Sequence, residues 1–249
     1  MQMDVVAQRA VDTIPGLLQL LENTNENNLD AEISILKNWD GRMSTDSIGA
    51  SLFEVFFTNW TKEVAAARFP ANLVPLMAGA ASGLSTQLIT EDPYDWFSPG
   101  ERAKAVHRAM EKTIDDISKD AGQDKSKWNW GAIHKVHLHH PLSELGQIFN
   151  RLSRGGQGVG GSGITVSNTG FDPNYLAVMG ANYRLVADLS DDPPGLWAVD
   201  AAGQSGNPGS VNYCDQLDSW MQNSQHFIPL DRKHVDENTT DKLIIRSSH

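Results

Sequence analysis

The hydrophobic period changes along this chain, and that change limits what it can fold into. Up to about residue 127 apolar residues recur every three or four positions, which is the spacing of a helix face. Beyond it they fall into short runs broken by Gly, Pro and Asn. Met3, Val6, Ala10, Ile14, Leu17 and Leu21 form one stripe, with Pro15 placed to kink it. A second helix is expected to start after Thr45 or Asp46 and to bury Ile48, Leu52, Val55 and Phe56. At Ser98-Pro99-Gly100-Glu101 the pattern offers a helix start with Ser98 as cap, Pro99 in the first turn and Glu101 completing a capping box. Ala103, Val106, Met110, Ile114, Ile117 and Ala121 then share a face.

The strand candidates are Ile133-His134-Lys135-Val136-His137-Leu138, Gly163-Ile164-Thr165-Val166, the run from Tyr183 to Leu189, and Gly195-Leu196-Trp197-Ala198-Val199. Residues 1–127 therefore read as a mainly helical segment, 128–230 as a strand-rich segment, and 231–249 as a polar tail. Within that tail Leu243-Ile244-Ile245 is either a late strand or part of a loose end. Helices first and strands last point to an α+β chain, or to the back half of a larger fold.

Charge narrows the partners. With 31 acidic against 20 basic residues the formal charge is −11, which argues against a nucleic-acid binder or an anionic membrane surface, because both need Lys and Arg in excess. The single Cys214 excludes an internal disulfide and a Cys-rich zinc module, and reads as an inert thiol. No run reaches the roughly 18 apolar residues of a membrane-spanning helix; the longest candidate, residues 73–84, is short and rich in Gly and Ala. The first ten residues lack the basic start and apolar centre of a secretory signal.

Taken singly, the chemical motifs favour structural readings. In His134-Lys135-Val136-His137-Leu138-His139-His140 strand geometry puts His137 and His139 on one face and His134 and His140 on the other, so the four do not converge on a metal. Gly156-Gln157-Gly158-Val159-Gly160-Gly161 matches G-x-G-x-x-G but lacks a strand before it and a helix after it, and reads as a flexible loop. Gly203-Gln204-Ser205-Gly206 is followed by Asn207 where a nucleophile elbow needs Gly. The acidic run from Asp188 to Pro194 lacks the Gly and terminal Glu of an EF-hand and reads as a solvated turn. Asn59-Trp60-Thr61 and Asn238-Thr239-Thr240 match the glycosylation pattern, which arises often by chance.

Taken together, the same residues resemble one family. Trp130-Gly131-Ala132-Ile133-His134, His140-Pro141-Leu142, Gly160-Gly161 with Thr165-Val166, the run from Tyr183 to Leu189, and Gly203-Gln204-Ser205-Gly206-Asn207-Pro208 with Tyr213, Asp215-Gln216 and Trp220 occur in the order seen in the penicillin amidase family. Upstream, Gln2-Met3-Asp4, Leu36, Trp39-Asp40-Gly41 and Asp46-Ser47 resemble its preceding helical segment. The family includes penicillin and cephalosporin acylases and acyl-homoserine-lactone acylases, and the resemblance runs from Met1 to Leu230 in what corresponds to the C-terminal part of the β-chain.

The resemblance implies an N-terminal-nucleophile hydrolase with an αββα fold, periplasmic or secreted in its full-length form, cleaving a linear amide between an acyl group and an amine. In such enzymes a Ser at the head of the β-chain uses its own α-amine as base, and an Asn side chain helps hold the oxyanion. An α-amine titrates near roughly 7.7–8.0, well placed to accept a proton at neutral pH. The nucleophilic Ser and oxyanion Asn are expected upstream of the segment matched here, so no residue of this chain inherits a catalytic role and the isolated chain is expected to be inactive. Its partners would be the α-chain, the N-terminal part of the β-chain and a small-molecule amide. Trp130, Gly131, His134, His140, Pro141, Gln204, Ser205, Gly206, Asn207, Asp215 and Gln216 are expected to form the fold. No cofactor or metal is assigned to this chain, calcium in the full enzyme being expected elsewhere. Two competing readings stand beside this: a non-catalytic binding or scaffold protein derived from an acylase core, and a zinc hydrolase using His134, His137 and His139.

Overall fold

A computed structural model describes residues 2–22, 29–190 and 195–247, which divide into two compact units, Met1–Gly180 and Ala181–His249. The chain is α+β. The first unit carries helices α1 (Gln8–Glu22), α2 (Asp30–Lys37), α3 (Ile48–Ala66), α4 (Val74–Ala80), α5 (Ser82–Thr90), α6 (Glu101–Ala121) and α7 (Trp130–Ile133), followed by the antiparallel strands β1 (Lys135–Leu138) and β2 (Arg154–Gly158).

Helix α3 is the centre of this unit. Fourteen of its 19 residues are buried, so it is apolar nearly all round, as a helix enclosed by others must be. Ser47 caps it, its Oγ accepting from Ala50 N at 3.1 Å. Helix α6 packs along it, and α1, α2, α4 and α5 also surround the core. Aromatic rings run through the interior: Phe56 stacks on Trp60 (6.4 Å) and Trp60 on Phe97 (5.5 Å), while Trp39 meets Phe53 at 5.7 Å. Trp39 lies so close over α3 that a Cβ at Gly49 would sit 2.4 Å from its ring. The Trp39-Asp40-Gly41 turn that presents it is held locally. Trp39 Nε1 donates to Arg42 O (3.0 Å), Arg42 N donates to Asp40 Oδ1 (3.0 Å), and Gly41 takes φ +76°, a conformation glycine adopts without cost.

Helix α6 begins differently from the sequence expectation. Its cap is Gly100, in the left-handed region at φ 80°, and no side chain caps it. Ser98 contributes only its backbone carbonyl, which accepts from Glu101 N at 3.0 Å, and Pro99 precedes the helix. The Pro-Gly turn reverses the chain before the helix can start, which displaces the expected capping box. The apolar face of α6 stands as expected, with Val106, Met110 and Ile117 buried.

Two further expectations are corrected. The glycine-rich run is not a free loop: Arg154–Gly158 is strand β2, paired with β1 in the register Lys135 to Gly158 and Leu138 to Arg154. Its glycines permit close backbone approach, since a Cβ at Gly155 would lie 2.1 Å from Val136 O. Residues 163–166 are a turn, not a strand, because Thr165 Oγ1 takes the place of a sheet partner, accepting from Ser162 N (3.0 Å) and donating to Ser167 O (2.7 Å). Between β1 and β2 lie two 3-10 turns, Pro141–Leu145 and Gln147–Leu152.

The second unit is a three-stranded antiparallel sheet in the order β3 (Tyr183–Asp188), β4 (Gly195–Asp200) and β5 (His226–Pro229), with helices α8 (Leu217–Met221) and α9 (Arg232–Asn238). Both strands expected at Tyr183 and Gly195 form. Residues 191–194 of the acidic run lie outside the described residues. The expected apolar triplet Leu243-Ile244-Ile245 is exposed and in no strand.

Two carboxyls are enclosed within this unit, Glu32 on α2 and Glu54 on α3. Glu54 is buried, and burial pushes it up to about 7 against the opposing pull of the Arg9 guanidinium and the Ser162 hydroxyl. Arg9 itself stacks 4.2 Å over the Phe57 ring and donates from Nη2 to Ser82 Oγ at 2.9 Å. Two outcomes test this interior. Gly49→Ala should destabilise the chain by about 1–3 kcal/mol in urea titration, because the clash with Trp39 outweighs the helix propensity gained. For Glu54, the folded chain holds a proton between 4.5 and about 7 that the unfolded chain has released. Its contribution is therefore full at the acid end and lost as pH rises through 7. Measured between pH 4 and pH 8, the stability of Glu54→Gln relative to wild type should rise by about 3 kcal/mol. A difference independent of pH would show that the carboxyl titrates normally.

Candidate functional site

The residues singled out from sequence fall into three groups, two in the first unit and one in the second. The first centres on His134, which follows the short helix α7. Its ring is fully buried and lies flat against Trp130, with centroids 4.4 Å apart and planes at 15°. Phe171 closes the edge of both rings. Trp130 Nε1 donates to Gly161 O at 2.8 Å. Gly131 N donates to Thr45 O at 2.7 Å, and a Cβ at Gly131 would come within 3.0 Å of the Thr45 side chain. Helix α7 is thus set against the segment leading into α3 on one side and the Gly160-Gly161 turn on the other.

Both imidazole nitrogens are engaged. Nδ1 lies 2.8 Å from Tyr175 O, which can only accept, so Nδ1 carries the proton. Nε2 lies 3.1 Å from Thr169 Oγ1 and accepts the hydroxyl proton, for which Gly160 O at 3.0 Å is the competing acceptor. Burial holds the imidazole down at about 4, only partly offset by the bond to Tyr175, so the ring is neutral at physiological pH. Tyr175 is held in the left-handed region at φ 63°, a strained conformation for an aromatic residue. Chemically the arrangement is a neutral hydrogen-bond hub that ties α7 to the loops at 160–170 and 171–177.

The second group is His140 with Pro141. His140 Nδ1 accepts from Leu142 N at 3.1 Å and caps the following 3-10 turn, whose first residue is Pro141. Ser143 Oγ donates back to His140 O at 2.5 Å, and His140 N donates to Ser153 Oγ at 3.2 Å. His137 and His139 stack on each other at 5.6 Å, apart from the enclosed His134 ring. Among the described residues no group of three or more His, Cys, Asp or Glu side chains is placed to hold a metal ion.

The third group belongs to the second unit. Gln204 Nε2 donates to Asp200 Oδ2 (2.6 Å), Ser205 N to Asn212 O (3.0 Å), Asn207 N to Ser205 Oγ (3.1 Å) and Gly209 N to Asn207 Oδ1 (3.0 Å). Gly206 sits in open space at the tip. At the base Asp200 N donates to Gln216 Oε1 (2.9 Å), and Gln216 N to Ala202 O (2.9 Å). Asp215 Oδ1 occupies the space a side chain at Gly203 would need, 2.7 Å from its Cβ position. The loop is closed on itself by its own Ser, Asn and Gln side chains.

Sequence reasoning missed Thr169, Tyr175 and Glu54. Thr169 and Tyr175 act through one hydroxyl and one carbonyl brought to His134 by turns, which no periodic signal marks. Glu54 interrupts an otherwise apolar helix stretch, and that interruption was the signal available.

Comparison with known proteins gives this geometry its context. Acyl-homoserine lactone acylase QuiP of Pseudomonas syringae pv. syringae (strain B728a) is 26% identical over 248 residues, covering 92% of this chain and 29% of that protein. Penicillin acylase 2 proenzyme of Pseudomonas sp. (strain SE83) is 27% identical over 193 residues, 73% of this chain and 24% of that protein. The chain therefore spans less than a third of the length of these curated relatives. Among solved structures, thermostable penicillin G acylase from Alcaligenes faecalis superposes with a TM-score of 0.55 at 13% identity, covering 99% of this chain and 48% of that one, a likeness of fold. The sequence profile described as Penicillin amidase matches residues 1–237, and the chain belongs to the penicillin amidase family.

Proposed function

We propose that this chain forms part of an N-terminal-nucleophile amidohydrolase that cleaves a linear amide between an acyl group and an amine, and that the nucleophile is carried by polypeptide outside these 249 residues. The family match along residues 1–237 carries the reading. Relatives named as acylases of homoserine lactones and of penicillin support it, and they are three to four times longer than the matched stretch. The enzyme so assembled is read as periplasmic or secreted. In this reading a Ser elsewhere attacks the amide with its own α-amine as base, and preorganised donors meet the developing oxyanion.

The chain's own residues then act as framework. His134 has both nitrogens committed to Tyr175 O and Thr169 Oγ1, and Trp130 and Phe171 enclose it, which suits positioning and not proton transfer to a substrate. Hydrolysis of a chromogenic acyl-anilide tests the assignment. The pure chain should be silent, and the chain assembled with the remainder of the acylase should release the chromophore. Turnover by the pure chain would overturn the placement of the nucleophile, and silence of the assembly across acyl-amide substrates would overturn the reaction class.

Two substitutions test the framework roles. His134→Ala should cost about 2–4 kcal/mol in chemical denaturation, because it removes a buried ring and strands two polar partners. Since the folded imidazole is depressed to about 4 from 6.5, the stability it contributes is present above 6.5 and is lost as pH falls through 4, a slope the variant should lack. His140→Ala should lower stability by about 1 kcal/mol through loss of the cap on Leu142 N. An assembled enzyme carrying either change that keeps its melting temperature and loses turnover would reassign that histidine to the chemistry.

A further inference from the structure

A cleft opens between α3, α4, α6 and the turn at 173–175, all within the first unit. Its volume is about 610 Å³, inside the roughly 300–1,000 Å³ range of small-molecule sites. Part of the lining is small and apolar, from Pro75, Ala78 and Gly79 on α4 together with Pro173. The rest carries three ammonium groups, Lys62, Lys112 and Lys119, and two carboxylates, Asp116 and Asp120. Asp116 Oδ1 pairs with Lys112 and lies 3.9 Å from Lys119, and its Oδ2 accepts from Asn59 Nδ2 at 3.2 Å, so two ammonium groups share one carboxylate. Lys62 has a neutral partner among the described residues, donating to Asn59 Oδ1 at 3.3 Å, and an ammonium carries two further donors. Asn59 is itself buried and also bonded to Thr113 Oγ1 at 3.3 Å, which fixes the acceptor that Lys62 rests on. The lining thus holds one positive charge in excess, three against two, in a chain whose formal charge is −11.

Tyr175 borders the same cleft with its backbone in the left-handed region at φ 63°. Strain of that kind persists where the surroundings over-determine a residue, and ligand clamps are one such place. Its hydroxyl is bonded with Thr58, whose Oγ1 already donates to Glu54 O at 3.1 Å, so the phenol is the donor. Burial, reinforced by the charges of Asp116, Glu54 and Asp120 and opposed by the bond with Thr58, pushes this phenol up to about 12, and it stays neutral toward an anion. We propose that the cleft binds a small organic monocarboxylate, its carboxylate on Lys62 and its apolar body against Pro75, Ala78 and Pro173. One negative charge matches the one ammonium in excess. A doubly charged phosphate would meet Asp116 and Asp120 with no second cation to spare and would leave the apolar wall unused. The proposal stands on the cleft alone and is independent of the reaction that the assembled enzyme performs.

Saturation-transfer NMR with benzoate as the probe tests this on the full 249-residue chain. Benzoate should bind saturably, and neutral benzamide, which has nearly the same shape, at least tenfold more weakly. Equal binding of the two would overturn the role of the ammonium, and inorganic phosphate competing as well as benzoate would overturn the organic carboxylate. Lys62→Met removes the charge from an exposed side chain and should weaken benzoate at least tenfold. Lys104→Met, on α6 but outside the cleft and paired with Glu101, should leave binding unchanged. Gly79→Leu is the second variant: a Cβ at Gly79 meets no atom within 4 Å, so the new side chain enters open space and should abolish binding with the melting temperature unchanged or raised. Undiminished benzoate binding by either cleft variant would overturn the site. In the assembled acylase the same differences between variants should persist, and their loss there would overturn the cleft as a site of the enzyme.

Discussion

A single buried imidazole joins two loops of the non-helical part of the first unit to helix α7. His134 donates from Nδ1 to Tyr175 O and accepts at Nε2 from Thr169, and these partners lie 41 and 35 residues along the chain. Backbone bonds tie the same stretch to its surroundings, among them Gly161 N to Met43 O, Ser167 N to Asp4 O and Ala177 N to Lys135 O, and the imidazole adds two side-chain ties between them. Buried polar groups left unpaired would each cost about 1–3 kcal/mol, so the hub specifies one arrangement of these loops by making every alternative expensive. Its effectiveness depends on neutrality: a charged ring in the same enclosure would require a second acceptor at Nε2, and the Thr169 hydroxyl would have to turn to Gly160 O.

The helical part depends on the opposite principle, burial of apolar surface with a few polar groups admitted under constraint. Glu54 is enclosed beside Arg9, and the fully buried Glu32 pairs with Lys125, whose ammonium also stands 5.8 Å over the Trp128 ring. Each leaves one carboxylate oxygen without a hydrogen-bond partner among the described residues. Such pairs add little to stability compared with apolar replacements, because desolvation offsets the attraction. What they supply is registration. Arg9 links α1 through Glu54 to α3 and through Ser82 to α5, and Lys125, in the 3-10 turn Lys125–Lys127 that follows α6, links that turn to α2.

The helices were legible because their signal is local and repeated. The stripe through Ala10, Leu17 and Leu21 is buried as its spacing requires, as is the apolar face of α6. Strands β3 and β4 were legible for the same reason. Strand β2 was hidden, because its residues are Arg-Gly-Gly-Gln-Gly and its pairing rests on the absence of side chains, which reads in sequence as looseness. The turn at 163–166 was misread because Ile164-Thr165-Val166 is rich in β-branched residues, yet the Thr165 hydroxyl satisfies the backbone locally and removes the need for a strand partner. Trp130, His134 and His140 were singled out from their order along the chain. Their partners Tyr175 and Thr169 were not, since one side of each bond is a backbone atom or a lone hydroxyl that any sequence supplies.

The second unit follows from a mismatch of lengths. Helix α8 has five residues and spans about 7–8 Å at roughly 1.5 Å per residue, whereas a six-residue strand such as β3 or β4 extends about 20 Å. A helix of that size can cover the row of Arg184 and Val199 but not the whole sheet, and Val186 and Phe227 on the same face remain about half exposed. The opposite face carries Tyr183, Leu185, Ala187, Leu196 and Ile228 together with Asp200 and His226. A strand with one solvated face alternates apolar with polar residues, whereas Tyr-Arg-Leu-Val-Ala-Asp and Gly-Leu-Trp-Ala-Val-Asp carry apolar residues through consecutive positions, the composition of strands covered on both sides. Two short helices pack on this sheet, α8 against β4 and α9 against β5.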